Sequence, residues 1–457
     1  MEELLYLYDS MDRRIKPLSR CGEKFGFYCC GPTVYSYAHI GNFRTFLAAD
    51  LLYRVLILGG YEPFYVRNLT DVDDKTIAGS QKDGITLTQF TRHWEDVFHR
   101  DCVELNLLSP NVEPRAADHI VEQINLIQQL ISKGHAYVRD GSVYFAIASW
   151  PSYGRLSRIE NQELLAAGVT VDDKEAQEDF ALWKASKPSD GENFWKSPWG
   201  NGRPGWHIEC SAMALKYLGK NFAIHGGGID LCFPHHENEI AQTEAAMGCN
   251  LAQLWFHVAH LRVSGEKMSK SLGNLYTVED IRKTGYLPLE LRYALLAGHY
   301  RQPLNFTIES LHSSRKALER IGRFCQKLGD VAVANVEMAK EFSRLSSIWK
   351  ILLQDLNTPE AIGKMFERIN GFSWDGLSRD EAVQELSEWQ RLFFAFGLES
   401  CLASRPIRSI PSEIKEMAEE RLRARRRRDF QRADHLREKL EIQGWQVEDF
   451  ADGYRLY

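Results

Sequence analysis

The sequence predicts an α/β protein built on a doubly wound parallel sheet, with an insertion in the sheet, a helical domain after it and a small C-terminal unit. Three observations carry that expectation. The first 75 residues alternate strand and helix patterns. From about residue 310 onward the pattern is almost wholly helical. A break at "ASRPIRSIPSE" (403–413) separates a final short segment.

Taken in order, "KFGFYCCG" reads as a buried strand. "NFRTFLAADLLYRVLILGGY" reads as a helix with Phe43, Phe46, Leu47, Leu51 and Val55 at helical spacing, stopped by Gly59-Gly60. "EPFYVRNLT" reads as a second strand, which completes a βαβ unit and so implies parallel pairing. Between about 118 and 200 come a helix ("ADHIVEQINLIQQLISKG"), a hairpin ("HAYVRDGSVYFAI") and a polar Trp-rich loop, read as an insertion between the two halves of the sheet. The second half resumes near "RPGWHIECSAMALKYLGKNFAIHGGGIDL".

Composition excludes some classes. The chain has 457 residues, 44% hydrophobic and 26% charged, a globular balance. No apolar run approaches the roughly 20 residues of a membrane span, and the longest candidate is broken by Asp50 and Arg54. The start, "MEELLYLYDS", is acidic and unlike a secretory signal. A net charge of −6 leaves any nucleic-acid contact to local patches. Nine cysteines, at 21, 29, 30, 102, 210, 232, 249, 325 and 401, are odd in number and not spaced as a disulfide scaffold. A reducing, cytoplasmic compartment is expected.

Two motifs carry phosphate chemistry. In "AHIGN", His39, Gly41 and Asn42 open a helix, whose free N–H groups and dipole favour phosphate. Alone, the motif reads more readily as a turn histidine capping a helix. In "EKMSKSLGN" (266–274), Lys267, Ser269, Lys270 and Ser271 sit on a Gly-flanked loop. Such cations suit the charge that builds on a transferring phosphoryl or adenylyl group. The order and separation of the two motifs resemble the class I aminoacyl-tRNA synthetases. "HIGN" departs from that family's HIGH at its last residue, where Asn keeps a hydrogen-bonding group but carries no charge.

Three further segments narrow the resemblance. "CCGPTVY", "GWHIECSAM" and "FPHHENEIAQ" supply Cys30, Cys210, and His235 with Glu239 four residues on. Together with "VRNLTDVDDK" and "HGGGIDLCFPHHENEIAQ" they are similar to the cysteinyl-tRNA synthetase group of that family, through nearly the whole chain but most specifically over residues 25–310. The resemblance implies a class I (Rossmann-like) catalytic domain over 1–310, with the insertion at about 118–200 and the KMSKS-containing segment at about 255–310. It implies a helical tRNA-binding domain over 311–405 and an anticodon-contacting unit over 406–457.

The resemblance also implies an enzyme that joins L-cysteine to ATP as cysteinyl-adenylate and passes it to the 3′-terminal ribose of tRNA(Cys). Cys30, Cys210, His235 and Glu239 would be ligands of one Zn²⁺, a soft donor set that favours thiolate over serine's hydroxyl. Two thiolates already neutralise the ion, so charge counting makes Glu239 the weakest ligand once substrate sulfur binds. Thr70 and Trp206 would contact the substrate cysteine. His39, Gly41, Asn42, His225, Gly227, Asp230 and Lys270 would contact ATP, which arrives with Mg²⁺. His39, Asn42, Lys267 and Lys270 would be the catalytic residues. Asp71, Asp73 and Asp74 are expected to be salt-bridged turn residues. A cytoplasmic monomer without membrane contact completes the expectation.

Side chains alternate along a strand, so of the adjacent pair only Cys30 should face the pocket, with Cys29 packed on the opposite side. At the other end, residues 418–440 hold nine Lys/Arg against five Asp/Glu, six of the arginines lying between 421 and 428. This basic helix and the following "EIQGWQVEDFADGYRLY" read as an RNA-contacting module, with Trp445 for base stacking. The family's "DFNTP" stands here as "DLNTP" (355–359). Rival readings are a cysteine ligase of mycothiol-type biosynthesis, which uses the same adenylate chemistry on an amino sugar, a zinc hydrolase around "HHENE", and an inactive RNA-binding relative.

Overall fold

Four parallel strands form the central sheet: β1 (Phe25–Cys29), β2 (Pro63–Arg67), β3 (Phe222–Gly228) and β4 (Ala252–Val258). They belong to a computed structural model that describes residues 3–19, 25–158, 179–268, 273–333, 336–401, 412–442, 445, 447–450 and 453–456. The spatial order is β4-β3-β1-β2, with Phe27 opposite both Ile224 and Tyr65. Every residue of β1 is buried, as a strand inside a parallel sheet covered on both faces must be. Since β2 lies on one side of β1 and β3 on the other, the winding reverses between β1 and β3. The crevice at their carboxyl ends is where such sheets hold ligands.

Helix α1 (Ile40–Leu58) joins β1 to β2, close to the expected span. His39 and Asn42 cap it reciprocally: the Asn42 N–H donates to His39 Nδ1 (3.2 Å) and the His39 N–H to Asn42 Oδ1 (3.1 Å). The helix is buried nearly all round because it lies between the sheet and two further helices, Pro288–Leu296 and Arg379–Phe396. The two charges that interrupt its apolar run are an ionic joint to those helices. Asp50 Oδ2 accepts from Arg54 Nε (2.8 Å) and Arg292 Nη2 (2.5 Å), and Arg292 Nε also donates to Phe396 O (2.7 Å).

The two faces of the sheet pack differently. Phe27, Cys29, Tyr65, Leu254 and Phe256 share one core with α1, including Phe43 and Leu47. Tyr28, Cys30, Val66 and Trp255 share another with α2 (Trp206–Leu218) and α3 (Glu237–Met247), through Cys210, Met213 and Ile240. Cys29 and Cys30 therefore lie on opposite faces.

Between β2 and β3 the chain forms a helix (Ile120–Ser132) and a five-stranded antiparallel sheet. The expected hairpin pairs Ala136–Arg139 with Ser142–Phe145. The segment read as a Trp-rich loop instead carries three more strands, Phe180–Ala185, Trp195–Ser197 and Gly200–Pro204, because fully buried Trp183 packs against Leu126, Ile127 and Phe145.

After β4, Leu261–Val263 pairs antiparallel with Glu266–Lys267 and parallel with Leu304–Phe306. Long helices follow, among them Ile308–Ala332, Thr358–Asn370 and Arg379–Phe396. Two helices (Ser412–Arg426 and Phe430–Ile442) and a hairpin (Val447–Phe450 with Gly453–Leu456) end the described chain. Trp445, expected as a stacking surface, is buried in their small core with Ile414, Ala418 and Leu440, since four short elements have little else to enclose. Among the described residues of this unit the aromatic that stands out is Phe430, 59% exposed. No described helix is long and apolar enough to cross a membrane.

Candidate active site

Four elements converge at the carboxyl end of β1 and β3. Cys30 is the first residue past β1, on the α2/α3 face. Cys210 lies in α2. His235 lies in the turn Cys232–His236 that leads into α3, and Glu239 in the first turn of α3. His235 thus precedes the regular helix rather than sharing it, yet the two side chains still meet. Their donor atoms all lie within 4.8 Å of one another. Cys30 Sγ is 4.0 Å from Cys210 Sγ and 3.6 Å from Glu239 Oε1, and His235 Nε2 is 3.1 Å from the same oxygen. Ligand bonds of about 2.0–2.3 Å place donors around a tetrahedral ion roughly 3.3–3.8 Å apart, so the set fits a metal of zinc's size. All four residues are buried.

The site's electrostatics separate Cys210 from the adjacent pair: burial and the nearby Cys210 push the Cys30 thiol well above its ordinary value, as burial does for Cys29. Burial pushes Cys29 up to about 12, an inert core thiol. Burial acts on Cys210 as well, but the hydrogen bond from Cys30 and the charge of His235 bring it down to about 6. Burial opposes the charge on Glu239, and His225 and His235 together hold its carboxyl at about 2.

Further histidines pack against the same cluster. His225, expected against the adenosine, is fully buried in this cluster instead. Its register opposite Tyr28 turns it to the α2/α3 face, where Nε2 lies 2.9 Å from Glu239 Oε2 and its ring stacks on Trp255 at 4.5 Å. His236 Nε2 is 3.4 Å from Cys30 Sγ, and its Nδ1 is 2.8 Å from His257 Nε2. His207 Nδ1 is 3.0 Å from His235 Nδ1. Cys30, His225, His236 and Glu239 make a second set of donors within the same 4.8 Å limit. Gly227 gives the cluster room: a Cβ there would stand 3.0 Å from the His236 ring. The sequence reading missed His207, His236, His257 and Glu209. One signal was available, since six of the 14 histidines (207, 225, 235, 236, 257 and 260) fall between 207 and 260.

Thr70 and Trp206 border this cluster. Thr70 is 2% exposed, and its backbone is tied to the turn after β1 by Thr70 N–H to Pro32 O and Val34 N–H to Thr70 O, both 3.1 Å. Its hydroxyl donates to Glu209 Oε1 at 2.7 Å. Burial, aided by the Cys210 thiolate, pushes the Glu209 carboxyl well above the usual carboxylate range. Trp206 opens α2, is 40% exposed and lies over the His235 ring at 4.5 Å.

The nucleotide-type motifs meet a short way off. The N-terminus of α1 is tied to the segment after the second motif by an antiparallel bridge between His39 and Thr277 and by Ile40 N–H to Tyr276 O (2.8 Å). A Cβ on Gly41 would stand 3.2 Å from Met268 Sδ, so the two motifs touch. Asn42 and Asp230 are exposed. Lys267 pairs through its backbone with Arg262, and Lys270 lies outside the described residues. The aspartates near Thr70 are structural: Asp73 caps a helix through Lys75 N–H, Asp74 pairs with Arg203 and Lys184, and Asp71 accepts from Ala117 N–H.

Comparison with known proteins gives three findings. Residues 17–316 match the family described as tRNA synthetases class I (C) catalytic domain. The chain is 46% identical over 465 residues to a cysteine–tRNA ligase of Opitutus terrae, covering 99% of this chain and 98% of that one. It is 41% identical to the cysteine–tRNA ligase of Brachyspira hyodysenteriae, covering 100% and 99%. Among solved structures, Mycobacterium tuberculosis methionyl-tRNA synthetase with methionyl-adenylate superposes with a TM-score of 0.57 at 16% identity, over 83% of this chain and 92% of that one. That likeness concerns the fold.

Proposed function

The chain belongs to the cysteine–tRNA ligase family of class I tRNA synthetases, and from that premise we propose how its residues divide the work. It is an aminoacyl-tRNA ligase that takes ATP, an amino acid and tRNA. The amino acid is L-cysteine and the tRNA is tRNA(Cys). The observation that carries this reading is the buried meeting of two thiols, an imidazole and a carboxylate at the switch point of the sheet.

Zn²⁺ held by Cys30, Cys210, His235 and Glu239 would supply a soft acceptor for thiolate sulfur, which serine's hydroxyl matches poorly. An apolar pocket separates near-isosteres only ~10–200-fold, so the donor set replaces shape as the basis of selection. His225 orients Glu239 by its hydrogen bond, as outer partners of ligating groups do. Thr70 accepts a hydrogen bond from the substrate ammonium, and Trp206 closes the cavity over it.

The substrate carboxylate then points toward the α1 N-terminus. There His39, Gly41 and Asn42 receive the α-phosphate of ATP at the positive end of the helix. Mg²⁺ accompanies the nucleotide. A carboxylate oxygen forms a bond to the α-phosphorus in line as the bond to pyrophosphate breaks. His39, Asn42, Lys267 and Lys270 stabilise the charge that develops. Gly227 and Asp230 border the adenosine. The terminal ribose hydroxyl of tRNA next attacks the carbonyl carbon, and AMP leaves.

Residues 1–310 form the catalytic domain, 311–405 a helical tRNA-binding domain and 406–457 the anticodon-contacting unit. On that last unit Arg423, Arg425 and Arg426 are exposed beside Phe430, a basic surface with an aromatic face available to a base. The protein works in the cytoplasm as a monomer, consistent with exposed large apolar residues that come from separate elements, such as Ile15, Val103 and Phe430. Charging of purified tRNA(Cys) with labelled cysteine tests the proposal. Cysteine-dependent adenylate formation without tRNA charging would favour the amino-sugar ligase, and no cysteine-dependent exchange of pyrophosphate into ATP would sink both.

A further inference from the structure

A polar relay runs beside the four-donor cluster from the residue after one thiol to the residue before the other. The Gly31 N–H donates to Asn68 Oδ1 at 2.9 Å. Asn68 Nδ2 donates to Thr70 Oγ1 at 3.3 Å. The Thr70 hydroxyl donates to Glu209 Oε1 at 2.7 Å. Asn68, Thr70 and Glu209 are 1%, 2% and 1% exposed, so no part of the relay serves solvent. Its direction is fixed. The amide O of Asn68 is taken by a backbone donor, so its NH₂ must face Thr70, and the hydroxyl proton is left for Glu209.

The relay ends on an open valence at each of its last two members. A hydroxyl has one proton and two lone pairs; one lone pair faces Asn68, so one is left on Thr70 to accept. The second carboxyl oxygen of Glu209 is buried with no hydrogen-bond partner among the described residues. A buried acidic oxygen without a donor is costly, and Thr70 serves only the other oxygen of Glu209. What fits an open acceptor lone pair beside an unpartnered buried carboxyl oxygen is a small group that brings several N–H donors, as an ammonium group does.

We infer that Glu209 is a positioning residue that recognises the α-ammonium group of the substrate through Thr70. This inference rests on the cysteine-activating reading above. It makes recognition two-pointed: sulfur is read at the donor cluster and the ammonium group at the relay. The two points are built on adjacent residues, Glu209 and Cys210 on α2. Turning the thiol end of the substrate therefore turns the amino end with it, which leaves its carboxylate one direction, toward His39. A thiol that lacks the ammonium group gains nothing from the relay.

The test compares two probes on the full-length enzyme. Cysteine-dependent exchange of pyrophosphate into ATP gives the KM for cysteine, and competition by 3-mercaptopropionate, which keeps the thiol and carboxylate but has no amino group, gives its inhibition constant. In Glu209→Gln the cysteine KM should rise roughly 10- to 100-fold, the range of a hydrogen bond to a charged group. The constant for 3-mercaptopropionate, the KM for ATP and the zinc content should stay as in the wild type. Thr70→Val, which removes the hydroxyl and keeps the shape, should give the same selective loss, and the double variant little more than either single one. An unchanged cysteine KM overturns the inference. So does equal weakening of both probes, which would mark Glu209 as a packing residue of the cavity, and so do fully additive losses in the double variant. Wild-type enzyme without any cysteine-dependent exchange would instead fault the activity reading, so the two failures are distinguishable.

Discussion

The two faces of the central sheet start from the same five-residue strand and end in different chemistry. Toward α1, Phe27 and Cys29 join Tyr65, Leu254 and Phe256 in an apolar core. Toward α2 and α3, Tyr28 and Cys30 meet His225, Cys210 and Glu239. The apolar face needs only volume and pattern, and tolerates repacking. The polar face must satisfy every buried group, because an unpaired one there costs more than a lost contact. It does not do so from its own residues: Tyr28 Oη, Glu209 Oε2, His225 Nδ1 and His257 Nδ1 are buried without hydrogen-bond partners among the described residues. One face closes on apolar side chains, while the other gathers polar groups whose partners do not all lie within it.

The comparison can be broken in several ways. The largest effect is expected from Cys210→Ala. It should abolish both metal binding and cysteine activation, read by metal analysis and pyrophosphate exchange, while the fold persists by circular dichroism. On the opposite side, Asp50→Ala leaves Arg54 and Arg292 buried without their anion and should destabilise the protein by about 3–5 kcal/mol in urea unfolding. A small effect there would mean that the joint between α1 and the helical domain is open to water. His39→Ala should lower the rate of adenylate formation by ~10²–10³ and leave cysteine affinity almost unchanged. A large change in cysteine affinity would contradict the division between the nucleotide and thiol sites. The smallest effect is expected of His225→Ala, which frees Glu239 Oε2. Metal affinity should fall ~10–100-fold in chelator competition; an unchanged affinity would remove His225 from the site.

Much of this contrast was legible before the structure. The βαβ start, the helix from His39 and the opposite orientations of Cys29 and Cys30 all follow from local periodicity, which a single strand or helix obeys by itself. Ligands 180 residues apart, such as Cys30 and Cys210, do not announce themselves by spacing, and only the resemblance placed them together. His225 shows the limit most clearly. "HGGGID" reads as a backbone shaped for a nucleotide, yet the register of β3 against β1 decides which face the histidine takes, and register is not written in either strand alone. Glu209 was hidden in the same way, since its partner Thr70 is 139 residues distant. Trp445 failed for another reason. In so small a unit an indole is worth more as core than as surface, while Phe430 is left exposed.

The most direct measurement compares Cys29→Ala with Cys30→Ala for zinc per chain and for cysteine-dependent pyrophosphate exchange. Cys29→Ala should keep one zinc and near-normal exchange, with a loss of stability of about 1 kcal/mol from the small cavity it leaves. Cys30→Ala should lose both zinc and exchange while remaining folded. Equal loss of zinc in the two variants, or full zinc retention in Cys30→Ala, would contradict the assignment of the two faces.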